Sequence, residues 1–409
     1  MVSAPLRSAR TTKGSPGLNW SLTTPGAVVF AVMFTLESLA RATLATITPL
    51  QAYELLGDKG TVNLLYTGVY ATTLCVSFAI PDLIRRFRRR WVYSLGVVMT
   101  IAAAMLLSAG TIAGQVGGML SVALAGSMTS VTLQLYMMDH IQRRDFVLAE
   151  PLRLVFSAAA WGAGPFLGVW LNQRFGHGTG QALSAIAAAL LLGYFWYLRM
   201  TENPAVAAAT RPPPRPLASI RRFLAQPRLR LGWFIAFGRS SWWSMFFVMP
   251  PLYLTDALGS ERGHFWGGVL VSAGNILLLI TPVIGRIAAR HGIRRPIIAA
   301  YVGLSAFTIL ASLMLHWPLA VGLCLLGGAF CCVILDALGN IPFIRAVRPL
   351  ERPQMATVFR SYADLSTLMP AAVFSLLLLI FDNIGAVFIA SGLFALAVGW
   401  IARHLPRSM

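Results

Sequence analysis

The chain has 409 residues, of which 57% are hydrophobic and only 11% charged, with a mean hydropathy of +0.69. An ordinary soluble domain carries roughly 25% charged residues, so this composition excludes a water-soluble fold of comparable size. A net charge of +19 would point to nucleic acid in a soluble protein; here its placement along the chain decides its meaning, and no nucleic-acid partner is expected.

Residues 1–25 carry Arg7, Arg10 and Lys13 but no apolar run followed by a small-residue cleavage site, so they read as a cytoplasmic lead. Apolar runs of about twenty residues then recur, each long enough to cross a hydrocarbon core of roughly 30 Å. The first six fall at 26–49, 61–80, 91–111, 116–138, 151–171 and 181–199. Residues 200–228 break the pattern with the stiff run from Arg211 through Pro212, Pro213, Pro214 and Arg215 to Pro216, followed by Arg221 and Arg222. This segment reads as a cytoplasmic bridge. Six more runs follow at 229–254, 264–285, 296–315, 317–341, 355–381 and 384–402, ahead of a tail at 403–409. Alternating strand patterns are absent, which points to helices and not a barrel. The expected fold is therefore all-α integral membrane, with twelve helices in two bundles, 26–199 and 229–402.

With the N-terminus inside, 26 of the 33 Lys and Arg residues are cytoplasmic, and only Lys59, Arg174 and Arg262 fall in outer loops. That asymmetry predicts both termini in the cytoplasm. The heavy use of Arg over Lys suggests a GC-rich bacterial source and hence the inner membrane.

The two halves echo each other. Pro49, Leu50, Glu54 and Gly57 recur 202 residues later as Pro251, Leu252, Asp256 and Gly259. Parallel repeats of this kind occur in secondary transporters, with the site between the halves.

Ionisable residues inside a membrane cost at least ~2.5–3.5 kcal/mol each and are functional candidates. Glu37 and Arg41 lie in span one, Arg239 in span seven, Asp336 in span ten, and Arg360 and Asp364 in span eleven; Arg153 sits at the edge of span five. Glu37/Arg41 and Arg360/Asp364 are each four residues apart and so share a helix face. Two readings stay open: each pair neutralises itself, or Glu37 faces Arg239 across a cavity. A carboxylate that alternates between a dry setting and a nearby cation can take up and release a proton, so Glu37, Asp336 and Asp364 are the coupling candidates. Arg41, Arg239 and Arg360 are candidates for binding substrate. So are Trp242, Trp243, Phe246 and Asn275, with Gln134, Tyr136 and Met137 on span four, because aromatics and methionines with a few polar groups suit an amphipathic molecule. Cys75, Cys324, Cys331 and Cys332 read as small core residues. Neither metal-ligand spacing nor a catalytic constellation is present, so no enzyme, metal or cofactor is expected.

The loop between spans two and three reads Pro81, Asp82, Leu83, Ile84, Arg85, Arg86, Phe87, Arg88, Arg89, Arg90. It resembles the major facilitator superfamily signature Gly-x-x-x-Asp-Arg-x-Gly-Arg-Arg/Lys. Arg86, Arg89 and Arg90 match, whereas Pro81, Arg85 and Arg88 replace the glycine, the acid and the second glycine; Asp82 supplies an acid from a shifted position. The second copy keeps Gly285, Arg290, Gly292 and Arg294 and adds Arg295, with Ala289 where the acid stands and Ile293 in place of a base. Span five contains Gly164, Pro165 and Gly168, similar to the Gly-Pro-x-x-Gly motif of the superfamily's proton-coupled exporters; the Arg-centred motif of span four is absent. The resemblance implies helix-tethering gating loops and transport by alternating access, as a proton-coupled antiporter exporting small amphipathic molecules, acting as a monomer in the bilayer. The alternative is an importer or exchanger of an organic anion held by Arg41 and Arg239, in a layout similar to the family's organophosphate carriers. A lipid-translocating or non-transporting membrane protein is a third class.

Overall fold

The computed structural model describes residues 25–140, 146–201, 220–347, 355 and 358–406, and every regular element among them is helical. Most of the expected lead and part of the bridge (202–219) and tail (407–409) lie outside the described residues. Nine helical stretches among the described residues are long and apolar enough to cross a membrane.

The first half contributes α1 (Pro25–Leu56), α2 (Lys59–Ser77), α3 (Ile80–Ser108), α4 (Ile112–His140), α5 (Phe146–Phe175) and α6 (Thr179–Met200). The second half contributes α7 (Ile220–Leu224), α8 (Pro227–Leu258), α9 (Ser260–Ile276), α10 (Thr281–His291), α11 (Arg294–Leu313), α12 (Pro318–Leu338), α13 (Ile341–Ala346), α14 (Ser361–Phe381) and α15 (Ile384–Ala402). Several departures from the predicted runs have local causes. The α1 helix runs on to Leu56 because Pro49 is accommodated inside it. The eighth run is broken, with a 3-10 turn over Leu277–Ile280 between α9 and α10, and Pro282 in the first turn of α10. The short α7 falls within the expected bridge, where Phe223 is buried against Leu229 and Phe343.

Two turns repeat. Gly57 ends α1 at φ +71 and Gly259 ends α8 at φ +80, left-handed values that glycine adopts without a Cβ clash. These are the repeat-related glycines, so the internal symmetry reaches the backbone. The ends where α1 and α8 finish form one end of the bundle, called the outer end after the orientation that the Lys and Arg distribution predicts.

Each half has its own apolar core. In the first, Met33, Ala40, Tyr93, Leu133 and Phe195 pack together from α1, α3, α4 and α6. In the second, Trp242, Phe246, Tyr301, Leu325 and Phe388 do so from α8, α11, α12 and α15. Toward the outer end the halves share a cluster, in which Ala52, Val62 and Tyr66 meet Leu252 and Ala371. Glycines set the closest approaches. A Cβ on Gly164 would stand 2.5 Å from that of Ala42, and one on Gly168 would run into the Thr43 carbonyl oxygen. The span-five motif thus presses α5 against α1. Beside it, the Phe166 amide donates to Ser272 Oγ of α9 at 2.9 Å, joining the two halves.

Candidate functional site

Two groups of charged side chains lie between the helices. The first is centred on Glu37, a buried residue in α1. Thr129 of α4 donates its hydroxyl to Glu37 Oε1 at 2.7 Å, and Arg41 lies one turn along α1 at 3.9 Å from the same oxygen. The Arg41 guanidinium rests on Gly126 of α4, where a Cβ would stand 3.1 Å from its central carbon. Only a residue without a side chain leaves that seat open. The Arg41 side chain remains 39% exposed against 8% for Glu37, so of the two the cation is the one open to a visitor.

Arg360, immediately before α14, reaches into the same group from the second half. It donates to Ser130 Oγ at 2.5 Å, and Ser130 in turn donates to the Gly126 carbonyl at 2.7 Å. Asp364, Glu37 and Arg41 are among the charged groups that act on Arg360. Asp364 accepts from Ser77 of α2 at 3.4 Å. Both ends of the Arg360/Asp364 pair therefore touch the first half. Glu37 and Arg41 against Arg360 and Asp364 make two acids and two bases, a neutral set spanning both halves.

The second group belongs to the second half. Arg239 Nε lies 3.2 Å from Asp336 Oδ1, Trp243 donates its indole N–H to Asp336 Oδ2 at 2.8 Å, and Arg239 donates to the Tyr362 hydroxyl at 3.2 Å. Its guanidinium also lies 5.7 Å from the Tyr362 ring centroid, within cation–π range. Arg239 is thus committed to Asp336, and the expected face-to-face arrangement of Glu37 and Arg239 gives way to separate partners for each. Asp336, which has no partner on its own helix, finds one on α8.

The other sequence candidates separate by burial. Trp242 is stacked on Phe246 with ring centroids 5.1 Å apart and donates to Thr308 at 2.9 Å; both rings lie in the second-half core. Both are buried, and Trp242 also lines a cavity of about 170 Å³ with Ser241, Pro370 and Phe394. Tyr136 is likewise core, packed near Phe195. Asn275 is buried and bonds the carbonyl of Val271 one turn back in its own helix. Gln134 and Met137 lie on α4, but their side chains fall outside the described residues, as does that of Arg290. Trp243 and Phe247 are half-buried, and Phe247 meets Trp161 of α5 across the halves at 5.3 Å. Gly126, Thr129, Ser130, Ser77 and Tyr362 escaped the sequence reading, since small hydroxyl residues abound in this chain and nothing marks which of them meet a charge.

Of the segments expected to be gating loops, the first is helical, its residues 82–90 falling within α3; Asp82 pairs with its neighbour Arg85 at 3.4 Å, and Arg89 is buried and donates to the Leu135 carbonyl of α4 at 3.4 Å. Arg86 and Arg90 lie 5.6 Å from the rings of Phe87 and Trp91. Arg88 adopts φ +64, ψ +148 at a kink in α3. The resembled signature puts glycine at this position, and the backbone shows why. In the second loop Gly285 lies on α10, Gly292 takes φ +82, Arg294 donates to the Arg403 carbonyl at 2.7 Å, and Arg295 is exposed. The Arg89 bond joins α3 to α4, and the Arg294 bond joins α11 to the end of α15.

The family description "Major Facilitator Superfamily" matches residues 30–347. The chain belongs to that superfamily. Among solved structures it is similar to a POT family transporter in complex with 5-aminolevulinic acid, at 14% identity and a TM-score of 0.74, over 92% of this chain and 95% of that one. A POT family transporter in complex with a thioalcohol-conjugated peptide gives 14% and 0.72 over the same shares. The nucleoside transporter NupG gives 12% and 0.70, over 92% of this chain and 99% of that one. At such identities the likeness is one of fold. No curated protein matches the chain. This superfamily member is an integral, multi-pass membrane protein with the fold of secondary transporters.

Proposed function

We propose that the protein is a proton-coupled secondary transporter that exports a small amphipathic organic molecule by alternating access. Twelve spans cross a bacterial inner membrane with both termini cytoplasmic, residues 26–199 and 229–402 move as two bodies, and the monomer is the working unit. The observation that carries this reading is the Glu37 group. A buried carboxylate sits beside a cation of its own helix and within electrostatic reach of Arg360 from the opposite half. Rocking the halves changes how many cations face Glu37. Because opposite charge favours the ionised carboxylate and its withdrawal favours the protonated one, the motion and the proton become linked. Trp243, Phe247 and Trp161 give the substrate an aromatic wall where the halves meet. The test is a Glu37→Gln variant in an efflux-deficient bacterium and in proteoliposomes with an imposed pH gradient. Loss of gradient-driven transport in a well-folded variant is expected; undiminished coupled transport removes Glu37 from the mechanism.

A second reading is supported by Arg41. With Arg239 engaged by Asp336, the open guanidinium on Gly126 is the better seat for a substrate anion, which favours an organic-anion carrier. Arg41→Gln should then weaken anionic substrates at least tenfold more than neutral ones. Equal loss for both classes rejects the anion carrier.

A further inference from the structure

The cavity beside Trp242 lies within the second half, between α8, α14 and α15, and measures about 170 Å³. Aromatic rings wall it from all three helices: Phe237 and Trp242, Phe374, and Phe394. Phe237 and Phe394 meet edge to face, with ring centroids 5.7 Å apart. Among the described residues no charged side chain lines the cavity. The indole N–H of Trp242 is already spent on Thr308. That leaves two side-chain hydroxyls in the wall, those of Ser241 on α8 and Ser391 on α15.

These two hydroxyls are unusual. Ser241 is 4% exposed and Ser391 8%, yet the Oγ of each has no hydrogen-bond partner among the described residues. Elsewhere in the helices a buried hydroxyl bonds a carbonyl of its own helix, as Thr308 does with Leu304. A buried hydroxyl left unpaired is destabilising, and a ligand oxygen would relieve it. Rotation about χ1 is all that a serine needs to turn its hydroxyl toward a visitor.

The cavity also has a mouth. Met369 and Val373 line it and are exposed, and with the exposed Leu376 and Ile380 they form one apolar stripe along α14. Val373 stands nine residues after Asp364, which is about 180° round the helix axis. The mouth therefore faces the bilayer side of α14, away from the charged group around Glu37.

We propose that this cavity is a second binding site, entered from the bilayer, for a small neutral molecule made of one aromatic ring and a hydroxyl. An apolar cavity of about 150 Å³ holds benzene, so this one takes a single ring with room for one polar atom. The aromatic walls favour a ring through edge-to-face contacts. The serines can donate or accept, as a hydroxyl requires. A carboxylate is excluded, because nothing in the lining would compensate its buried charge. The proposal goes beyond the central site, since it names a different lining and a different route of approach.

The test uses the full-length protein in nanodiscs with 4-fluorophenol as the probe, its fluorine resonance being read against empty nanodiscs. We expect saturable binding that empty nanodiscs lack. Ser241→Ala and Ser391→Ala should each weaken it about two- to tenfold, the range for one hydrogen bond. Fluorobenzene should bind with an affinity that neither change alters, and 4-fluorobenzoate should not displace either probe. Val373→Trp, at an exposed position in the mouth, should abolish binding of both neutral probes, so a folding defect in a serine variant does not decide the matter. Undiminished binding of 4-fluorophenol to Val373→Trp overturns the proposal. So does an affinity for 4-fluorophenol that both serine variants leave unchanged, since the cavity would then suit the end of an acyl chain. Binding that survives Val373→Trp but vanishes in Glu37→Gln would belong to the central group and would also overturn it.

Discussion

Arg239 and Asp336 lie 3.2 Å apart between α8 and α12, and Trp243 and Tyr362 hold the two ends of the pair. Arg239 is buried, and among the described residues Asp336 is the carboxylate within 4 Å of it. Removing one partner of a buried pair leaves an uncompensated charge and costs about 3–5 kcal/mol, whereas replacing both with apolar residues is often near neutral. Asp336 keeps some exposure, so Asp336→Leu alone should cost about 3 kcal/mol. The double change Arg239→Met with Asp336→Leu should recover most of that loss. Thermal unfolding in detergent measures both. A double variant no more stable than the single one would mean that the pair does not act as a unit. Transport by a stable double variant would mark the pair as structural.

Two glycines should respond differently to the same added methyl group. At Gly168 a Cβ meets the backbone of α1 at Thr43, which cannot yield without moving a helix. Overpacking of this kind costs about 1–3 kcal/mol, so Gly168→Ala should lower the melting temperature. At Gly126 the Cβ meets the far end of the Arg41 side chain, 3.1 Å away, and a flexible side chain can move aside. Gly126→Ala should keep the melting temperature within about a degree but raise the KM for an anionic substrate several-fold. A stability loss at Gly126 matching that at Gly168 would contradict the assignment of Arg41 as a movable group.

The helical membrane fold was legible because run length is a one-dimensional signal that hydrocarbon thickness imposes directly. The repeated turn was legible for the same reason, since Gly57 and Gly259 answer a backbone requirement at one position. Pairing of the embedded charges was not. Trp243 and Asp336 are 93 residues apart in sequence, and their meeting depends on which faces of α8 and α12 are turned together. Adjacent residues on a helix point about 100° apart, and that rotation puts Trp242 in the core while Trp243 reaches Asp336. Composition could not separate two neighbouring tryptophans. Nor could it tell Ser130 and Thr129, which meet charges, from the many hydroxyls that bond their own helix, such as Thr48 and Thr73.

Arg88 carries strain that glycine would relieve. Its φ of +64 with ψ of +148 lies in territory populated almost wholly by glycine, at a cost of order 1–3 kcal/mol for other residues. Its side chain is exposed. Arg88→Gly should therefore stabilise the folded protein by about 1 kcal/mol, part of the relief being offset by the freedom glycine gains in the unfolded chain. A fall in melting temperature would show that the arginine makes contacts worth more than its backbone strain.

Asp58 caps α2. Its Oδ2 accepts from both the amide and the hydroxyl of Thr61, at 2.6 and 2.7 Å. These bonds, the side-chain one first, hold its carboxyl below the usual carboxylate range, because they favour the ionised form. A depressed folded-state pKa means that the stabilising contribution is present above the unfolded value of about 3.9 and is lost as pH falls through the lower folded value. Asp58→Ala should cost about 1 kcal/mol at neutral pH, as loss of a cap does. The gap between wild type and variant should hold constant down to about pH 5 and narrow only below the ordinary carboxylate range. Lys59, which bridges to Asp256 of α8, follows this cap directly, so the same variant should also loosen that bridge. If Asp58→Ala widens the distance between the halves at neutral pH without a change in melting temperature, the cap serves to position Lys59 more than to stabilise α2.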